Sequence, residues 1–181
     1  LELRLIAEIG IIGLPNAGKS SLLRCLTKAN PKVGDYPFTT LFPNLGTLRT
    51  DDQEIILADI PGLIAGASKG EGLGFDFLRH IDRTHCLIHL VALSESVEET
   101  WETYCITCNE LKKSHYLLSE KKQIVTLSKT DMFTNELIQD HISFFEQKGI
   151  NAFGISSFTR DGISHLTETV LHLRNNLDKL T

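Results

Sequence analysis

The 181 residues include only four cysteines, one methionine and one tryptophan. Four cysteines (Cys25, Cys86, Cys105 and Cys108) are too few to staple a chain of this length, so a disulfide scaffold is excluded and an apolar core has to carry stability. Cys105 and Cys108 make a single CxxC without a second pair, inside a helical pattern, which reads as packing rather than as a metal or redox site. A basic excess is also lacking: the formal net charge is −5, which excludes a broad electrostatic footprint for nucleic acid on this segment. Long apolar runs are missing as well. The stretch 86–93 is far shorter than the roughly 18 residues a membrane span requires, and no signal-type segment opens the chain, so a cytoplasmic protein without a membrane partner is expected. The one methionine is Met132, so Leu1 reads as a position inside a longer chain. His85 and His89 fall in and beside a strand-like run, where a separation of four places them about 13 Å apart along one sheet face, too far to share a metal.

What the chain does have is a regular alternation of apolar runs and helical patterns. Strands are expected at 3–12, 45–50, 54–59, 86–93, 123–128 and 150–155, the second and third joined as an antiparallel hairpin. Helices are expected at 19–28, 75–83, about 97–117, about 135–148 and about 162–177. Residues 31–43 read as a polar loop. Five glycines between 62 and 74 are too many for a helix or strand, and make that segment a mobile loop. This order predicts an α/β protein: one three-layer domain with a mainly parallel six-stranded sheet and helices on both faces. About 180 residues suffice for one core burying roughly 70% of the unfolded surface. In such a sheet, ligands gather at the carboxyl ends of the strands.

The octapeptide GLPNAGKS at 13–20 follows the first apolar run and opens a helix, the context a phosphate-binding loop requires. Gly13 and Gly18 let the backbone wrap a polyphosphate, with Leu14, Pro15, Asn16 and Ala17 supplying amides between them. Lys19 would reach the outer phosphates as a point charge, and the Ser20 hydroxyl would take a magnesium position at a helix start whose dipole favours anions. Chance produces this pattern in roughly one chain of this length in 150.

Four further elements fall at strand ends. Asp59, Ile60, Pro61 and Gly62 spell DxxG: a carboxylate suited to magnesium and an amide suited to a terminal phosphate. In the loop YPFTT at 36–40, a threonine hydroxyl could complete a magnesium shell while a third phosphate is present and release it afterwards. Thr40 is preferred, and spacing leaves Thr39 open. In Ser128-Lys129-Thr130-Asp131 the carboxylate can accept two hydrogen bonds from the edge of guanine while the Lys129 stem lies over the ring, and adenine lacks the matching donors. Ile155-Ser156-Ser157 could offer an amide to the base carbonyl.

These elements, in this order, resemble the guanine-nucleotide domain of the translation-factor-related GTPases, and the wording is closer still to the Obg family. GLPNAGKSSLL, YPFTTLFPNLG and DIPGLIAGASKGEGLGFDFLRHIDRT look like that family's phosphate loop, first switch and second switch. The resemblance implies a magnesium-dependent GTPase acting in large ribosomal subunit assembly, with residues 1–181 as its monomeric G domain and a glycine-rich amino-terminal domain outside this segment. It extends the nucleotide-contacting set to Ser21, to Phe38, Leu41 and Phe42 beside the threonines, and to Phe158 beside Ser156 and Ser157. Within that set, Lys19, Asn16, Thr40 and Gly62 would serve hydrolysis, and Ser20, Thr40 and Asp59 would hold magnesium.

The chain departs from the family pattern twice. Ser128 stands where asparagine is usual, and its shorter side chain is expected to lose contacts to the base and to the phosphate loop; Ser157 replaces an alanine at little cost, because the useful group there is an amide. The residue after DxxG is Leu63, which cannot orient water, so slow hydrolysis on the order of 10⁻⁴ per second is expected, with K⁺ held through Asn16 or a ribosomal partner as accelerators. A nucleotide-dependent binding module with incidental hydrolysis, and an ATPase of the same architecture, remain as alternatives.

Overall fold

The computed structural model describes residues 7–27, 32–33, 44–50, 53–60, 84–113 and 120–178. Seven strands form one sheet in the order β2-β3-β4-β1-β5-β6-β7. They are β1 (Ile9–Ile12), β2 (Lys32–Val33), β3 (Asn44–Arg49), β4 (Glu54–Asp59), β5 (Cys86–Ala92), β6 (Gln123–Ser128) and β7 (Ala152–Gly154). The described helices are α1 (Lys19–Thr27), α2 (Val97–Lys113), α3 (Asn135–Gln147) and α4 (Ile163–Asp178), with a 3₁₀ turn at Thr130–Met132.

β1 pairs in parallel with β4 and β5, and β5, β6 and β7 continue in parallel. Among the described strands β3 alone runs opposite to the rest, antiparallel to both β2 and β4, the β3–β4 hairpin in register from Asn44↔Asp59 to Arg49↔Glu54. The central strands β1 and β5 are buried on both faces, which is why they read as continuous apolar runs, whereas β4 begins with an alternating pattern. Side chains then divide by the period-two rule. Ile88 and Leu90 of β5 point into a cluster with Leu22 and Leu23 of α1 and Leu166 and Val170 of α4. Val91 joins Val125, Leu127 and Phe145 on the opposite face, against Trp101 and Tyr104 of α2. Trp101 and Tyr104 meet Phe145 edge-on at 5.1 and 5.5 Å between ring centroids, within the range where aromatic pairs attract.

The six expected strands are all there, joined by the two-residue β2, which falls inside the segment expected to be loop throughout. Two residues carry no periodicity, so only their pairing with Asn44 and Leu45 defines them. β7 is shorter than expected because Ile150 donates its amide to Phe145 O at 2.9 Å, and Gly149, at φ 79°, donates to Glu146 O at 2.8 Å. Both groups close α3 in a Schellman turn, leaving three residues for the edge strand. The expected beginning of β1 at 3–6, the end of α1 at 28, helix 75–83 and the last turn of α2 at 114–117 lie outside the described residues. Cys25 and Cys86 are buried in the core, Cys105 and Cys108 are half-buried, and all four are free thiols, consistent with packing roles. His85 is exposed ahead of β5, and His89 is fully buried within it. No described helix is long and apolar enough to cross a membrane.

Candidate functional site

The described motif residues collect at the carboxyl ends of β1, β4, β6 and β7, where parallel topology brings loops together. Between β1 and α1 the chain turns through Gly13 (φ 150°), Asn16 (φ 63°) and Gly18 (φ 99°). Gly13 is buried against β5, and a Cβ there would fall on the carbonyl oxygen of Leu90. Asparagine tolerates the left-handed conformation that Asn16 adopts, which by itself accounts for this residue type in the exposed loop. Lys19 curls back so that its Nζ donates to Gly13 O at 3.0 Å and Leu14 O at 3.2 Å, cradling the loop around its own ammonium. Burial lowers the Lys19 pKa from the usual lysine value, and the Asp59 carboxylate partly offsets this. Pro15 and Ser21 are exposed, and Ala17 is buried.

Asp59 closes β4 with its side chain buried. Its Oδ2 accepts from Ser20 Oγ at 2.5 Å, while its Oδ1 is buried with no partner. A buried, unpartnered carboxylate oxygen beside a serine hydroxyl suits a hard cation that takes few protein ligands and keeps water and phosphate oxygens. Among the described residues there is no cluster of three or more histidine, cysteine or acidic side chains. Ile60, also buried, donates its amide to Ile11 O at 3.1 Å. Phe38, Thr39, Thr40, Leu41, Phe42, Pro61, Gly62 and Leu63 lie outside the described residues.

The expectation that Ser128 loses the phosphate loop is corrected. Ser128 Oγ donates to Ala17 O at 2.7 Å, across 111 residues of sequence, with Val91 O a more distant 3.4 Å. Because β6 ends pointing at the loop, a single methylene is long enough. The one hydroxyl proton is thereby used on the loop. Replacing Ser128 with alanine leaves a buried carbonyl unpaired, and thermal unfolding of Ser128→Ala is expected to show a loss of about 1–2 kcal/mol. Lys129 follows in the left-handed conformation at φ 65° and turns the chain into the 3₁₀ segment that carries Thr130 and Asp131.

Asp131 Oδ1 accepts from Ser156 Oγ at 2.6 Å. The Ser156 hydroxyl, fully buried, accepts in turn from the amides of Phe158 at 3.2 Å and Thr159 at 3.1 Å. The carboxylate is held from one side while the residue as a whole stays exposed. Ser157 is half-buried and Phe158 is 87% exposed. One residue of this cluster gave no signal in the sequence. Arg160, at φ 70°, donates from Nη2 to Cys25 O at 3.1 Å and ties the loop after β7 to α1. No local pattern announces a bond between residues 135 apart.

A mainly parallel sheet with helices packed on it, and a loop with two glycines leading from its central strand into α1, define a P-loop domain of the G-domain fold. The chain belongs to the 50S ribosome-binding GTPase family, whose pattern matches residues 8–142. It is 46% identical over 182 aligned residues to the GTPase Obg of Sulfurihydrogenibium sp. (strain YO3AOP1), covering 99% of this chain and 53% of that protein. The chain thus spans about half the length of the curated relatives it matches. The crystal structure of an Aquifex aeolicus Era variant bound to GDP·AlF4⁻ superposes with a TM-score of 0.67 at 21% identity, over 94% of this chain and 57% of that one. The G domain of the T. maritima FeoB iron transporter gives 0.64 at 21% identity, over 93% of this chain and 98% of that one. At such identities the two structures speak for the fold alone.

Proposed function

We propose that this chain binds GTP and GDP with magnesium and hydrolyses GTP slowly, as the cytoplasmic switch domain of a protein that acts on the large ribosomal subunit. The observation that carries the reading is the pair of hydrogen bonds at the base-reading turn: Ser128 to the phosphate loop and Ser156 to Asp131. Together they join a base-selecting carboxylate and a phosphate cradle into one rigid site whose parts lie more than a hundred residues apart in the chain.

In this reading the amides of the 13–18 loop and the start of α1 face the phosphates, and the Lys19 ammonium leaves its loop carbonyls for phosphate oxygens. Ser20 and Asp59 are the described residues that would hold magnesium, with Thr40 added from the segment outside the described residues. The metal supplies charge neutralisation of the transferred phosphoryl group. Asp131 selects guanine by accepting two hydrogen bonds from the edge of the base, and Ser157 presents its amide to the base carbonyl. The Gly62 amide would sense the terminal phosphate. Leu63 gives the attacking water no partner, which keeps turnover on the order of 10⁻⁴ per second without assistance. Where a cation assists through Asn16, turnover in potassium exceeds that in sodium; equal rates leave Asn16 only its backbone role.

Titration of a fluorescent guanine nucleotide, with ATP as competitor, tests the whole reading. Guanine nucleotide is expected to bind and ATP to fail to displace it. Asp131→Asn is expected to weaken binding about 10- to 100-fold, because the amide reverses one of the two hydrogen bonds to the base. Displacement by ATP at levels similar to GTP overturns guanine selectivity, and absence of binding at millimolar GDP with magnesium overturns the function.

A further inference from the structure

Cys25 and Cys86 are core residues, whereas Cys105 and Cys108 are half-buried and line a cavity of about 320 Å³, within the size range of small-molecule sites. The other described residues around it are Tyr104, Asn109, Lys112 and Gln123. Positions 104, 105, 108, 109 and 112 follow the three- and four-residue spacing of one helix face, so α2 turns a continuous stripe toward the first residue of β6. Packing therefore uses only part of each thiol, and the lining suits chemistry at the rest. As i, i+3 neighbours on one cavity, the two sulfurs can act in turn on a single reagent. Burial raises the Cys108 pKa above the usual thiol value, against the smaller opposing effects of the Tyr104 hydroxyl and the Lys112 ammonium, which leaves Cys105 to react first. Lys112 is the only charged side chain among the described lining residues, and it favours a reagent that carries negative charge. Gln123 opens β6 and Ser128 ends it at the phosphate loop, so the cavity and the nucleotide residues lie at opposite ends of the sheet.

We propose that this cavity is a thiol-exchange site, at which Cys105 and Cys108 react with an anionic low-molecular-weight disulfide of the glutathione type. The Cys105 thiolate attacks one sulfur of that disulfide, forming a mixed disulfide and expelling one thiolate. Cys108 then gives its proton to solvent and attacks Cys105 Sγ; the Cys105–Cys108 bond forms and the second small thiolate leaves. The two cysteines together lose two electrons and two protons, and the reagent is reduced to two thiols. Neighbouring Cβ atoms on a helix face are about 5–6 Å apart, more than the roughly 3.5–4.5 Å a disulfide spans, so the bridge bends α2 and is easily reduced. It is a reversible mark, not a staple. The proposal does not depend on the guanine-nucleotide reading.

Oxidised glutathione added to the whole folded chain, with intact-mass measurement and peptide mapping over time, tests this. The chain is expected to lose two hydrogen atoms as a Cys105–Cys108 bridge while Cys25 and Cys86 keep their thiols, and reduced glutathione should reverse the change. Cys108→Ser should stop at the mixed disulfide on Cys105. The charge argument has its own readout: the ratio of the rates with oxidised glutathione and with cystamine, a cationic disulfide, should fall about 3- to 10-fold in Lys112→Gln. Taking the ratio cancels any change in the thiols themselves. Absence of a Cys105–Cys108 bond in the unaltered chain overturns the proposal, as does oxidation of Cys25 or Cys86 at the same rate, which marks reaction through unfolding. An unchanged ratio in Lys112→Gln overturns the preference for an anionic reagent.

Discussion

A single methyl group at Gly13 is expected to abolish nucleotide binding and to lower stability by about 4 kcal/mol. Two separable penalties combine there. Gly13 adopts φ 150°, a conformation in which a side chain is strained by about 1–3 kcal/mol whatever space surrounds it. The added Cβ would also land on the Leu90 carbonyl oxygen and sit 3.3 Å from the Ala17 Cβ. Leu90 belongs to β5, a central strand paired with both β1 and β6, so its backbone cannot retreat without breaking two ladders. Overpacking of this kind costs a further 1–3 kcal/mol or so, about as much again. Against a total stability of about 5–15 kcal/mol, the midpoint of thermal unfolding should fall by roughly 10–15 °C. Gly18→Ala is the informative partner. Its φ of 99° is just as forbidding, but the nearest atom to its Cβ is Leu90 Cδ2 at 3.8 Å, an ordinary contact. It should carry the conformational cost alone, about 1–3 kcal/mol, and still weaken GDP by misaiming the amides. Calorimetric titration and thermal unfolding of both variants check the pair; a Gly13→Ala chain that unfolds at the unaltered midpoint would refute the steric argument.

Such contrasts mark where sequence stops being legible. The motif GLPNAGKS announces both glycines, but it says nothing of Leu90, far along the chain in β5, whose carbonyl makes the first glycine far less replaceable than the second. β6 could be placed to the residue because its β-branched and apolar stretch, QIVTLS, is bounded by Lys122 and Lys129. β7 could not, since whether Ile150 extends the strand or closes α3 is decided by hydrogen bonding rather than by hydropathy. Ser128 shows the same limit at the site. Comparing side-chain lengths suggests that serine falls short of the phosphate loop; the distance that matters is between the end of β6 and Ala17, and it is short enough for a hydroxyl. The described parts of the site that could be named in advance are those whose chemistry sits in one stretch, such as Lys19, Ser20 and Asp59. What went unannounced is Arg160 on Cys25 O and the hydrogen bonds by which Ser156 links Asp131 to Phe158; the three residues could be named singly, but their bonds exist only once the loops meet.

Lowering the pH from 6.5 to 4 is expected to remove about 3 kcal/mol of folding stability through His89 alone. This histidine is fully buried in β5, stacked on Tyr104 at 4.9 Å between centroids. Its Nδ1 lies 3.1 Å from Gln123 Oε1, and its Nε2 is buried with no partner. With the Nδ1 proton directed at Gln123, protonation would place a charge on Nε2 where neither water nor an acceptor meets it. Burial accordingly pushes the His89 pKa down to about 4, against the small opposing effect of the Gln123 hydrogen bond. The sign follows from which state binds the proton. Below about pH 6.5 the unfolded chain protonates this histidine while the folded chain does not, so acid favours unfolding until the folded pKa is reached. Above 6.5 neither state carries the charge and the contribution is flat. The loss runs at about 1.4 kcal/mol per pH unit and reaches about 2 kcal/mol at pH 5. Urea unfolding without nucleotide, at pH 7.5, 6 and 5, measures it against His89→Leu, which cannot titrate. Carboxylates protonate in both chains and cancel in the difference. The leucine variant should lose about 2 kcal/mol less than the unaltered protein between pH 7.5 and pH 5, and parallel losses would refute His89 as the source of the acid sensitivity.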